Sequence, residues 1–184
     1  MPLSHRGVSP VVGTVLLVAL AAVLATGVLA AGTAMESLDD PPPSAVLAGE
    51  DVTAACAGCG STDQVVRLRH RAGDPIAMAD VALVVSVPGR DARGRLVDLP
   101  LATNCLRDTH VDGTDLFDGR CGRVSGALTA VGTDADGVWR AGEYIAVRLR
   151  KGAVRLGPGD DVVVSVVHTP SGTVVARQRL TAVD

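Results

Sequence analysis

The order of apolar and polar positions divides this chain into two unlike parts. From Val8 to Met35 no side chain ionises, and Val, Leu and Ala dominate. A helix that crosses a bilayer needs roughly 20 such residues, so the run predicts one long hydrophobic helix over 8–38. His5 and Arg6 precede the run, and Glu36, Asp39 and Asp40 follow it. Under the positive-inside rule this keeps the N-terminus cytoplasmic, with a single pass through the cell membrane and the remaining chain outside. Gly13, Gly27, Gly32 and many Ala residues thin one side, as close helix packing in lipid requires. The plainer alternative is a discarded signal peptide with small residues at Val28-Leu29-Ala30. Its apolar core would exceed the roughly 7–15 residues usual for such peptides.

Asp39-Asp40-Pro41-Pro42-Pro43-Ser44 ends the helical pattern, because successive prolines exclude α-helix and favour an extended spacer. We read 39–44 as a hinge and 45–184 as a head domain. Within the head the period changes to two, the signal of strands. In Gln64–His70, Val66 and Leu68 share one face while Arg67 and Arg69 take the other. Glu143–Arg150 alternates likewise, with Ile145, Val147 and Leu149 opposite Arg148 and Arg150. Asp80–Val87 and Asp161–His168 are apolar at almost every position, the pattern of strands covered on both faces. Thr169-Pro170-Ser171-Gly172 has turn chemistry, and Thr173–Leu180 returns as a partner strand. Weaker strands are expected at Ala45–Ala54, Leu96–Leu101 and Arg123–Val131. Seven or eight short strands with Gly-rich turns predict a β-sandwich. The fold class expected is therefore α+β, one long N-terminal helix followed by an all-β sandwich head.

Composition narrows the function. The sequence holds one Phe, one Trp and one Tyr, and its only lysine is Lys151. Net charge is −3 with pI ≈ 5.7, and no basic stripe of the kind nucleic-acid binders carry is present. Trp139 is expected to anchor the core. Cys56, Cys59, Cys105 and Cys121 are even in number and fall in the part placed outside, which reads first as two disulfides. Cys105–Cys121 would staple the Asp- and Gly-rich loop between them and leave Cys56–Cys59 as a local bridge; a crossed pairing is open. A four-thiolate zinc site normally needs two close Cys pairs, and Cys105 and Cys121 are far apart. The carboxylates of Asp108, Asp112, Asp115 and Asp118 have no EF-hand spacing, so a solvated acidic loop is expected and no metal or cofactor is assigned. His70 and His168 each close a strand, as structural histidines do. No Gly-x-Ser-x-Gly, phosphate-binding loop or HExxH is present, so no catalytic residue is assigned and the chain is not read as an enzyme.

One stretch carries a resemblance. Arg6-Gly7-Val8-Ser9-Pro10-Val11-Val12-Gly13-Thr14-Val15-Leu16-Leu17-Val18-Ala19 closely resembles the N-terminal segment of archaeal type IV pilins. There a short charged leader ends in a small residue, followed by Val-Ser-Pro and a hydrophobic helix. The resemblance implies a leader over 1–7, cleavage by a prepilin peptidase between Gly7 and Val8, and a helix that packs in a filament core. Pro10 suits a first helical turn, where its missing N–H lacks a partner anyway. Bacterial relatives usually carry a Glu where this chain has Val12, whereas archaeal ones commonly do not. More loosely, Leu68–Ile76, Trp139–Glu143 and Asp161–Gly172 look like core strands of haloarchaeal pilin-like proteins, which implies an immunoglobulin-like head.

The function expected is a pilin or pilin-like subunit that assembles with like subunits, through the pilus assembly machinery, into a cell-surface filament for adhesion. A non-polymerising membrane-tethered binding domain is the alternative, and a secreted metal-binding domain with a discarded N-terminus is the third reading.

Overall fold

The computed structural model describes residues 13–21, 41–58, 63–131 and 136–184. By contacts the chain splits into two compact units, Met1–Pro41 and Pro42–Asp184.

In the first unit the described residues form one helix, α1, over 13–21. This corrects the expected fold class. Nine residues at 1.5 Å each give about 14 Å, under half of a bilayer's hydrocarbon thickness. Among the described residues no helix is long and apolar enough to cross a membrane, so the single-pass arrangement with a cytoplasmic N-terminus and an external head is overturned with it. The physical reason is that hydropathy measures how much apolar chain is available, not how much is helical. Gly, Thr and Val all count toward the apolar run, yet each lowers helix propensity relative to Ala and Leu. The leader 1–7, the Gly7–Val8 bond and the outer parts of the 8–38 run lie outside the described residues. Of the hinge, 41–44 are described and carry neither helix nor strand.

The second unit is β-structure. Among the described residues twelve strands run β1 (Ala45–Glu50), β2 (Val52–Thr53), β3 (Val65–Gly73), β4 (Ile76–Ala77), β5 (Val81–Val87), β6 (Ala92–Leu96), β7 (Val111–Gly113), β8 (Val124–Gly126), β9 (Val138–Trp139), β10 (Tyr144–Arg148), β11 (Asp161–His168) and β12 (Thr173–Val183). They form a four-stranded sheet in the order β1-β3-β10-β8, a six-stranded sheet in the order β2-β12-β11-β5-β6-β7, and a small β4-β9 pair. The chain passes from the first sheet to the second at Asp51, so that β2 lies parallel to β12 while the other pairings are antiparallel.

Alternation explains the sandwich-like core. Val66, Leu68, Ile145 and Val147 from the first sheet, and Leu83, Val85, Val162, Val164, Val166 and Leu180 from the second, are all buried in one apolar cluster with Phe117 and Trp139. Trp139 is fully buried, held edge-on against His70 at 5.7 Å between ring centroids. The sheets close along one side, where β1 meets β12. Gly49 permits this, because a Cβ there would collide with the Leu180 side chain. Gln178 Nε2 then donates to the Leu47 carbonyl at 2.8 Å across the gap.

Several strand expectations shift. Leu96–Leu101 is not a strand: β6 lies earlier, and only Leu101 bridges, to Thr129. A tight 3-10 turn at Pro88–Arg90, with Asp91 left-handed behind it, folds Ala92–Leu96 back onto β5. The sequence around Arg93-Gly94-Arg95 offers too few apolar residues to announce that return.

Candidate functional site

The long connection from β6 to β8 is tied to itself. Cys105 and Cys121 form a disulfide across a sequence separation of 16. Leu116 and Phe117 inside this loop are fully buried and act as its apolar plug. The Asp118 N–H donates to the Arg148 carbonyl, and the Arg150 N–H donates to the Leu116 carbonyl. The loop is thereby stitched to the end of β10.

That stitching brings charges together. Alternation places Arg148 on the face opposite Val147 and Leu149, yet its side chain is only 3% exposed. The direction follows the alternation, but the loop and the segment before β3 cover it. Arg148 Nη2 meets Asp63 Oδ1 at 2.5 Å and Nε donates to the Asp63 carbonyl at 3.1 Å. Lys151 Nζ lies 2.6 Å from Asp63 Oδ2 and donates to the Cys56 carbonyl at 3.1 Å. The Cys56 N–H also donates to Asp63 Oδ2. Burial works against the charge of Asp63, but the hydrogen bonds from Lys151 and Cys56 and the charges of Lys151 and Arg148 outweigh it, so its carboxyl is held below the usual range.

Asp118 forms the second centre. Arg120 grips it with Nε at 2.9 Å and Nη2 at 2.7 Å, while Arg123 and Arg148 stand 3.7 Å away. The Arg120 hydrogen bond is the main reason that Asp118, too, is held below its ordinary value; burial opposes this, and the Arg120 N–H and charge add to it. Asp115 pairs with Arg150 at the surface. Asp108, Asp115 and Asp118, with Arg120, Arg150 and Lys151, line an open depression of about 400 Å³ together with Gly119 and Gly152. Three carboxylates face three cations there, so the charges largely neutralise one another. The expected solvated acidic loop is thus only half right: Asp115 is exposed, and Asp118 is buried in an ion cluster. Among the described residues no group of three His, Cys, Asp or Glu side chains could hold a metal ion.

The remaining candidates sit apart from this cluster or outside view. Cys56 is disulfide-bonded, while Cys59 lies outside the described residues, as do Gly7, Val8 and His5. His70 is buried with Nδ1 3.1 Å from the Trp139 carbonyl and Nε2 3.0 Å from the Ala72 carbonyl. His168 Nδ1 lies 2.8 Å from Ser171 Oγ, which also accepts from the Thr173 N–H. This pair locks the β11–β12 turn. Sequence reasoning missed Asp63, Gln64 and Lys151. Gln64 is fully buried and left-handed at φ 54, and its amide bridges the Val154 carbonyl and the Leu156 N–H. The one available hint was Lys151, the sole lysine in a chain otherwise supplied with arginine. No family model matches the chain, and no curated protein matches it.

Proposed function

We propose that this chain is a pilin-like filament subunit, trimmed by a prepilin peptidase between Gly7 and Val8, whose β head is the displayed, adhesive part and performs no chemistry of its own. The observation that carries this reading is the sequence Arg6-Gly7-Val8-Ser9-Pro10-Val11-Val12-Gly13, which opens a long uncharged run. A small residue beside a charge is what such a peptidase needs, and retention of the apolar segment supplies a surface for like subunits. Val15, Leu16, Leu17, Val18 and Leu20 of α1 are each at least 60% exposed. A helix apolar on all sides calls for cover, and the same segment of neighbouring subunits would provide it.

The head supports the reading at the level of architecture. Its strand order, with β1-β3-β10-β8 facing β2-β12-β11-β5-β6-β7, follows that of immunoglobulin variable-type domains. Such domains serve largely as display and recognition scaffolds, an argument by analogy of fold. It departs from antibody domains in its staples: β3 and β11 carry no cysteine, and the core tryptophan comes from β9.

The test is the mature N-terminus, read by mass spectrometry on assemblies pelleted by ultracentrifugation. A start at Val8 in pelleted material supports the reading. A start at Met1 or Pro2, or one near Ala31, overturns it.

A further inference from the structure

The two outer faces of the sandwich differ in a way that the filament reading does not use. The first sheet is partly capped by the Asp63–Arg148–Asp118 cluster. Among the described residues of the second unit, none caps the outer face of the six-stranded sheet in this way. Because Leu83, Val85, Val162, Val164, Leu96 and Leu180 point into the core, their strand neighbours point out. Register then aligns the outward residues in two rows across four strands. One row runs Arg177, Ser165, Val84, Arg95; the next runs Arg179, Val163, Ser86, Arg93. Each row begins and ends with arginine.

The dimensions follow from sheet geometry. Three strand spacings separate β12 from β6, about 14 Å, and two residues along a strand separate the rows, about 7 Å. The four arginines are therefore rooted at the corners of a rectangle, on side chains long enough to lean over a low aisle of Ser and Val. Val163 is buried although it faces outward, because arginine stems lie along apolar neighbours while their heads stay wet. An open groove of about 420 Å³ lies on the β12 side, lined by Val163, Arg177, Gln178 and Arg179. Among the described residues Arg93, Arg95 and Arg177 enter no ion pair, and Arg95 Nε is buried without a hydrogen-bond partner. Arg179 alone is paired, with Asp161 at 3.2 Å. In a chain of net charge −3, this concentration of free cationic forks is local.

We propose that this face binds an anionic polysaccharide, a chain with carboxylate or sulfate groups on its sugar rings, laid along the aisle and clamped from both sides. Guanidinium matches such groups bidentately, and the Ser165 hydroxyl on the aisle floor suits sugar hydroxyls. Duplex or single-stranded nucleic acid fits less well. No aromatic side chain stands on this face to stack a base, and Asp161 and Asp112 fence its borders, where Asp112 lies in register with Arg95. An acidic peptide would seek a free strand edge or side-chain pockets, whereas four paired strands with small side chains offer neither. The inference concerns the head alone and holds whether or not the chain polymerises.

The test uses the full chain and immobilised alginate, with neutral dextran, poly-glutamate and single-stranded DNA as comparators. Alginate binding that weakens with salt is expected, since exposed ion pairs are screened. The Arg93→Gln/Arg177→Gln variant removes one exposed guanidinium from each row and each side, and should weaken binding about tenfold or more. The Arg67→Gln/Arg69→Gln variant removes the same charge from the other sheet and should bind as the parent does. Urea midpoints within error of the parent show that both variants fold. Absence of alginate binding, equal loss in both variants, or tighter binding to poly-glutamate or DNA overturns the proposal.

Discussion

The buried pair of Asp63 and Arg148 yields the sharpest stability prediction. Asp63 is fully buried, and its carboxylate accepts from Arg148, Lys151 and the Cys56 N–H. In Asp63→Asn the shape persists, but the charge goes and the new amide nitrogen sets a donor against donors on at least one side. Removing one partner of a buried ion pair costs about 3–5 kcal/mol, because the other charge is left uncompensated. Two features hold the cost near the lower end. Asp118 stands 3.7 Å from Arg148 and keeps part of the compensation, and Lys151 is 32% exposed and can turn to water. We therefore expect a loss of about 3 kcal/mol. With a urea dependence of about 2 kcal/mol/M, the midpoint falls by about 1.5 M. Fluorescence of the single, fully buried Trp139 reports the transition. Replacing both partners, Asp63→Leu with Arg148→Met, should return most of the stability, since apolar pairs of similar volume often match a buried ion pair. A loss below about 1 kcal/mol in Asp63→Asn would refute the view that this pair is held uncompensated by water.

Two further outcomes follow from the same region. Replacing Cys105 and Cys121 with Ala frees a loop whose ends are 16 residues apart, which should cost about 2–3 kcal/mol. A urea midpoint unchanged within error would mean that the Leu116–Phe117 plug holds the loop unaided. Acid should destabilise the head through Asp63 and Asp118, both depressed below 3.8 in the folded chain. As pH falls, the unfolded chain takes up these protons first, so stability rises with pH in that window. The contribution is complete above about pH 5 and declines as pH drops below about 4 through the folded values. In Asp63→Asn the midpoint measured against pH should be flatter over that range.

How much of this was legible depends on how far apart the cooperating residues lie. The strands β3, β5, β10, β11 and β12 each carry their own period or an unbroken apolar run, so local sequence suffices to place them. β6 does not, because its inward positions are Ala92, Gly94 and Leu96, and Gly94 contributes no apolar side chain to the pattern. Arg148 shows a different limit. Its alternation with Val147 is sound, and it does leave the core side, but 85 residues separate it from Asp63. Nothing local says that another segment will cover it. For the long helix, apolar length alone does not establish a membrane span: among the described residues helix covers 13–21 and no helix is long enough to cross a membrane. The arginine rectangle needed registers that only a paired sheet defines, because Arg93 and Arg177 lie 84 positions apart in the sequence (177 − 93).

These limits share a cause that bears on function. On the first sheet, the segment ahead of β3 and the loop between β6 and β8 commit their carboxylates to cations at the end of β10 or within the loop: Asp63 with Arg148 and Lys151, Asp115 with Arg150, Asp118 with Arg120. Burying these groups is costly unless each finds its partner, so that part of the sheet is committed to holding the loop. On the outer face of the six-stranded sheet only Arg179 of the four row arginines has an ion-pair partner among the described residues. Arg93, Arg95 and Arg177 gain nothing for the fold from one another, since like charges held on one face repel. Unpaired cations aligned at the ends of two registered rows thus cost stability in the isolated chain. A bound anion would relieve that cost, which makes the uncapped face, rather than the more densely charged depression, the place where the head meets its partner.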